Sequence, residues 1–148
     1  DNTFVVIEAA LLAPEKKKFA KHAAALQEYK KTADERYNVF GMADSLSAKN
    51  KKVLWMQLQE AKQAGLSAEE IIGTLWWQLK TLRLAKITTS AQDAGMKDFP
   101  YNKAKRALAT FKEGELETIS HKLLRVYHDG HLGVVDTDIA LERFVLTL

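Results

Sequence analysis

One stretch constrains the fold of this chain more than any other: AEEIIGTLWWQLKTLRLAKI, residues 68–87. Ser67 lies directly before it and Glu70 follows three residues later, which is the capping-box pattern that begins a helix. At about 100° per residue, the apolar residues of this stretch form a long stripe along one side. We therefore predict a long helix whose stripe faces a core, with these members: Ile71, Leu75, Leu79 and Leu82.

The same helix carries a second apolar group. Trp77 and Leu84 point to nearly the opposite side from the stripe, next to Gly73, and Trp76 lies at the stripe's edge. A surface helix needs only one apolar side, so this helix is either central in its bundle or shared with another subunit. Gly73 would allow a neighbouring element to approach closely. From the sequence alone, both a core and a subunit interface remain open at Trp77.

The rest of the chain from Tyr37 onward is also helical in pattern. Gly65 is a typical residue after a helix end, and no strand-like alternation interrupts residues 37–148. We predict a bundle of about five or six helices, with short loops that favour antiparallel neighbours. The last helix is apolar on most sides and must pack against something, which adds Phe144 and Leu148 to the candidate interface. The predicted fold class is mainly α.

Residues 1–30 follow a different pattern. TFVVI at residues 3–7 and LQEYK at residues 26–30 indicate strands, and Pro14 favours a helix between them. Two strands and one short helix cannot bury a core alone, so we predict the closing unit of an α/β domain. The polar residues 31–36 form a linker. Because the chain lacks an initiating Met and opens almost directly into a strand, we expect it to be a fragment.

Composition excludes several classes. The chain has no cysteine, so it has no thiol chemistry, and this fits a reducing compartment. No apolar run approaches the length of a membrane span, and no signal peptide is visible. The net charge of +3 is lower than dedicated nucleic-acid-binding domains usually show.

The motif HDGH, residues 128–131, suggests a metal or catalytic site at first sight. However, Gly130 separates the two histidines and Gly133 follows, which predicts that the helix ends near Tyr127. No third ligand is evident nearby, and no nucleophile motif or phosphate-binding glycine loop occurs in the chain. We interpret HDGH as a solvated turn and predict neither an enzyme activity nor a bound metal or cofactor.

The basic side chains support a second hypothesis, a helical DNA-binding module that contacts the phosphate backbone. They are spread along the chain, and too few flank the tryptophans to form a groove in which bases stack. The phosphate-contacting candidates are Lys80, Arg83, Lys103, Lys105 and Arg106.

Two segments together resemble the C-terminal domain of the delta subunits of bacterial DNA polymerase III. The first is VFGMADSLSAKNKKVLWMQLQEAKQAGLSAEEIIGTLWWQLKTLRLAK, and the second is GELETISHKLLRVYHDGHLGVVDTDIALERFVLTL. The strand TFVVI and the helix after it look like the end of that family's ATPase-like N-terminal domain. The residues that fit the family's order are Phe40, Ala43, Asp44, Leu46, Lys52, Leu58, Gly65, Ile71, Leu75, Gln78, Lys80, Leu84, Leu116, Leu123, Gly133, Ala140, Leu141, Glu142 and Leu146.

This resemblance implies a role in assembly. Delta subunits belong to the clamp loader in the bacterial cytoplasm, where their helical collar domain holds subunits in a ring. They open the sliding clamp through their N-terminal domain, without hydrolysing ATP. The implied partners are therefore other clamp-loader subunits, the sliding clamp through a region upstream of this sequence, and DNA through the assembled complex. The candidate collar contacts are Gly73, Trp77, Leu84, Phe144 and Leu148.

Overall fold

The structure, a computed structural model, describes residues 13–25 and 37–148. The chain divides into two units, residues 1–35 and 36–148. In the first unit, α1 spans Ala13–His22, which confirms the predicted helix. The predicted strands at residues 3–7 and 26–30 and the predicted linker lie outside the described residues.

The second unit is a bundle of six helices. Every regular element within residues 37–148 is helical, which confirms the mainly α fold class. A short 3₁₀ turn at Leu108–Thr110 continues the fifth helix of the chain. The helices are α2 (Phe40–Ser47), α3 (Lys51–Gln63), α4 (Ala68–Ile87), α5 (Asp98–Ala107), α6 (Glu115–His131) and α7 (Thr137–Leu146).

Helix α4 is the centre of this bundle, because it packs against each of the other five helices. Its predicted capping box is present: the Glu70 amide donates to the Ser67 hydroxyl at 3.3 Å, and the Ser67 amide donates to the Glu70 carboxylate at 2.9 Å. The predicted stripe is fully buried in the core. Burial of this stripe against five neighbours is the main apolar contribution to folding, and its members are Ile71, Leu75, Leu79 and Leu82.

A buried polar contact joins α4 to α2. The Gln78 side-chain amide donates to the Ser47 hydroxyl at 2.7 Å, and that hydroxyl donates to the Ala43 carbonyl at 2.9 Å. All three residues are buried. A buried hydrogen-bonded pair of this kind disfavours any other alignment of the two helices, since a shift would leave polar groups unpaired.

Two lysines hold the first turn of α6. The Lys49 ammonium donates to one carboxylate oxygen of Glu115, and the Lys112 amide donates to the other at 2.8 Å. Two residues further along α6, the Lys86 ammonium lies 2.7 Å from a carboxylate oxygen of Glu117, so the end of α4 lies beside the start of α6. Both carboxylates also lie where the helix dipole favours negative charge.

We expect these contacts to appear in the titration of the two carboxyls. The hydrogen bond from Lys49, followed by that from the Lys112 amide, holds the pKa of Glu115 below its ordinary value of 4.5. The hydrogen bond from Lys86 likewise lowers the pKa of Glu117. Because each pKa is lowered by folding, the stabilisation is fully present above 4.5 and is lost as the pH falls through the lowered value.

Lys49→Met separates the two titrations. In carboxyl ¹³C NMR of this variant, the pKa of Glu115 should rise towards 4.5, while the pKa of Glu117 should stay where it is in the unsubstituted protein. An equal rise at both carboxyls would contradict the assignment of the Lys49 contact to Glu115.

Candidate subunit interface

The side of α4 that faces away from the core is exposed and apolar. Trp77 is 46% exposed, Trp76 is 36% exposed and Ile87 is 78% exposed. Leu84 is half-buried on the same side. Beside Gly73 the space is open, with no atom within 4 Å of the position that a Cβ would occupy. We call these five residues the tryptophan face.

Helical spacing places these residues together. Gly73 lies four residues before Trp77 and Leu84 lies seven after it, so all three share one side of the helix. Ile87 lies eleven residues, or about three turns, after Trp76. Lys80 is exposed on the same side, four residues after Trp76 and four before Leu84, so the apolar side chains lie around a lysine. Exposed tryptophans of this kind are typical of protein–protein contact sites.

Sequence reasoning did not include two members of the tryptophan face. The sequence puts Trp76 at the edge of the buried stripe, whereas the residue is 36% exposed in the structure. Ile87 was not among the candidates. The signal that identifies both is their shared angle on the helix, about 100–120° from the centre of the buried stripe.

The two candidates near the C-terminus lie elsewhere. Phe144 is only 4% exposed and belongs to the core of the bundle, and Leu148 is half-buried against that core. The reason is that α7 packs against α3, α4 and α6, which covers the side of the helix that carries Phe144, whereas Ile139 and Leu146 stay about half exposed. The structure therefore brings together Gly73, Trp77 and Leu84, and it leaves Phe144 unavailable to a partner.

The DNA-contacting candidates lie on two helices and several have partners within the unit. The Lys103 ammonium lies 2.6 Å from a carboxylate oxygen of Asp44. The Lys105 ammonium donates to the carbonyls of Ala85 and Thr88 at 2.7 and 2.8 Å, where it caps the end of α4. Such a contact is favoured by the helix dipole.

The remaining three candidates are exposed. Arg106 donates through Nε to the Asn102 carbonyl at 3.2 Å, within its own helix. Lys80 and Arg83 are exposed on α4, next to the tryptophan face. Helical spacing thus puts Lys80 among the residues of that face and Arg83 beside it, rather than on a separate basic surface.

The motif HDGH lies inside a helix, and the prediction that the helix ends near Tyr127 was wrong. Helix α6 continues to His131. It ends at Gly133, whose φ of +68° is the left-handed conformation that favours glycine. The Val134 amide then donates to the Asp129 carbonyl at 2.9 Å, which closes the last turn.

Gly130 has a packing role instead. A Cβ at this position would lie 2.3 Å from the Thr137 hydroxyl oxygen, so the absence of a side chain lets the start of α7 approach α6. Both histidines of the motif are exposed, and His131 Nδ1 lies 3.0 Å from the Tyr127 carbonyl oxygen. Within residues 13–25 and 37–148, no three His, Asp or Glu side chains are grouped as metal ligands would be.

Within the described part of the chain, no helix combines the length and the apolar character that crossing a lipid bilayer requires. Comparisons of the chain with protein-family models, with curated proteins and with solved structures find no match.

Proposed function

We propose that residues 37–148 form an assembly module that joins a partner subunit through the tryptophan face. The observation that carries this proposal is the exposure of Trp76, Trp77 and Ile87 on one side of the most central helix. Burial of a large aromatic side chain against a partner contributes much of the binding free energy. A rigid central helix already holds these side chains in place, so binding orders them at little entropic cost. Lys80, within the face, and Arg83 beside it would then supply the polar contacts.

The partners that we propose follow from the family resemblance. By that resemblance the chain is a delta-like subunit of a DNA polymerase III clamp loader in the bacterial cytoplasm, and it hydrolyses no ATP. Its helical unit would contact other clamp-loader subunits, while a region upstream of this sequence would contact the sliding clamp. The burial of Ile71, Leu75 and Gln78, which fit the family's order, supports a structural role for these positions.

The test is light scattering coupled to size-exclusion chromatography. The purified full-length protein is measured alone and after mixing with the other clamp-loader subunits of the same cell. We expect a discrete larger complex, and we expect no complex from protein that lacks residues 37–148. Absence of a complex at every mixing ratio would contradict the clamp-loader assignment.

The alternative function is DNA binding. The exposure of Lys80 and Arg83 beside two tryptophans favours it, since cations beside aromatic rings suit a nucleic-acid strand. Binding of a short labelled duplex or single strand by the isolated protein would support this alternative, provided that affinity falls steeply with salt. No retardation at low salt would exclude it for the isolated chain.

A further inference from the structure

A groove of about 570 Å³ runs between α6 and α7, away from the tryptophan face. Its walls are basic: Lys122 and Arg125 come from α6, and Arg143 comes from α7. Its floor is apolar, formed by the half-buried Val126 and the buried Phe144. No residue of α4 lines it. It is therefore a separate surface from the one proposed above, and the inference drawn from it does not rest on that proposal.

The spacing of the α6 residues places their charges along the groove. Lys122, Arg125 and Asp129 follow one another at intervals of three and four residues, so they share one side of the helix. Arg143 faces them from α7 next to Phe144. Three cations and one carboxylate thus surround the apolar floor, with the exposed His121 at one edge.

These three cations differ from the four lysines of the bundle that form ion pairs. Lys49, Lys62, Lys86 and Lys103 each lie within ion-pair distance of a carboxylate. Among the residues that the structure describes, no carboxylate lies within that distance of Lys122, Arg125 or Arg143. Cations that converge on a groove without acidic partners create a local positive potential that attracts an anionic ligand.

We propose that this groove binds an acidic segment of a partner protein that also carries apolar side chains. The charge complementarity comes from Lys122, Arg125 and Arg143, and the apolar side chains would cover the half-buried Val126 and Val135. A nucleic-acid strand suits the groove less well, because its phosphates would satisfy the cations and leave the apolar floor uncovered. The electrostatic part sets orientation and association rate, and the apolar part adds affinity.

The test uses fluorescence anisotropy with a labelled synthetic peptide that contains four Asp and two Leu residues separated by Gly. We expect saturable binding that weakens with added salt. The same peptide with Ser in place of Leu should bind about tenfold more weakly, since it loses apolar burial. A single-stranded oligonucleotide of equal charge should bind more weakly than the Leu peptide.

Two matched charge reversals localise the site. The variant Lys122→Glu with Arg143→Glu should bind the peptide at least about tenfold more weakly. The control Lys51→Glu with Lys52→Glu changes the net charge equally at the exposed start of α3, where acidic residues suit the helix dipole, and should bind as the unsubstituted protein does. All four substituted residues are exposed, and circular dichroism checks that helix content is retained.

Three outcomes would overturn the proposal. The first is no saturable binding of the Leu peptide by the full-length protein. The second is equal weakening by both charge reversals, which would show a response to net charge alone. The third is binding of the Ser peptide or the oligonucleotide as tightly as the Leu peptide, which would make the groove a general polyanion site.

Discussion

Leu79→Ala is expected to lower the free energy of unfolding of the helical unit by about 2–5 kcal/mol. Leu79 lies on the buried stripe of α4 and is 0% exposed, in a core to which all six helices of the unit contribute. Removal of its side chain forfeits apolar burial and leaves a cavity, because α4 is held by five neighbours and cannot collapse into the space. Urea-induced unfolding followed by circular dichroism at 222 nm measures the change.

Leu124→Ala is the matched control for this prediction. It makes the same chemical change within a helix, but Leu124 is partly exposed on α6. The expected cost is below about 1 kcal/mol, since much of the side chain already contacts water. Similar losses at Leu79 and Leu124 would contradict the central position of α4 in the core.

Local signals explain why most of the helical architecture could be predicted. The capping box at Ser67 and the stripe through Leu75 depend only on residues within a few turns of one another. Gly65 has a φ of +84°, so its role as a helix end follows from its own backbone freedom. These features do not require knowledge of which helices are neighbours.

Features that depend on a distant segment could not be predicted in the same way. A glycine such as Gly130 is typical of a helix end. Here it is needed because Thr137 of the next helix occupies the space where a Cβ would lie. Phe144 and Trp77 belong to helices that are both apolar on two sides, yet one ring is buried and the other is exposed. The difference arises because Phe144 lies on the side of α7 that packs into the core, whereas Trp77 lies on the side of α4 that faces away from it.

Trp77→Ala is expected to weaken binding to the partner subunit by about 2 kcal/mol or more, roughly thirtyfold in affinity. Trp77 is 46% exposed, more than Trp76, and lies about one turn after Gly73 and two turns before Leu84 on the same side of α4. Central tryptophans of an interface contribute most because surrounding contacts exclude water from them. The affinity is measured by sedimentation velocity over a range of partner concentrations.

Phe99→Ala is the control that separates a specific interface from a general loss of surface aromatics. Phe99 is 73% exposed and lies at the start of α5, outside the tryptophan face. Because Trp77 is also substantially exposed, both variants should retain thermal stability close to that of the unsubstituted protein. Equal partner affinity in Trp77→Ala and Phe99→Ala, with both proteins folded, would remove the tryptophan face from the assembly hypothesis. A loss of partner affinity in Trp77→Ala alone would place the partner on α4. The buried side of that helix fixes its backbone, so the substitution should not alter the other surfaces of the unit.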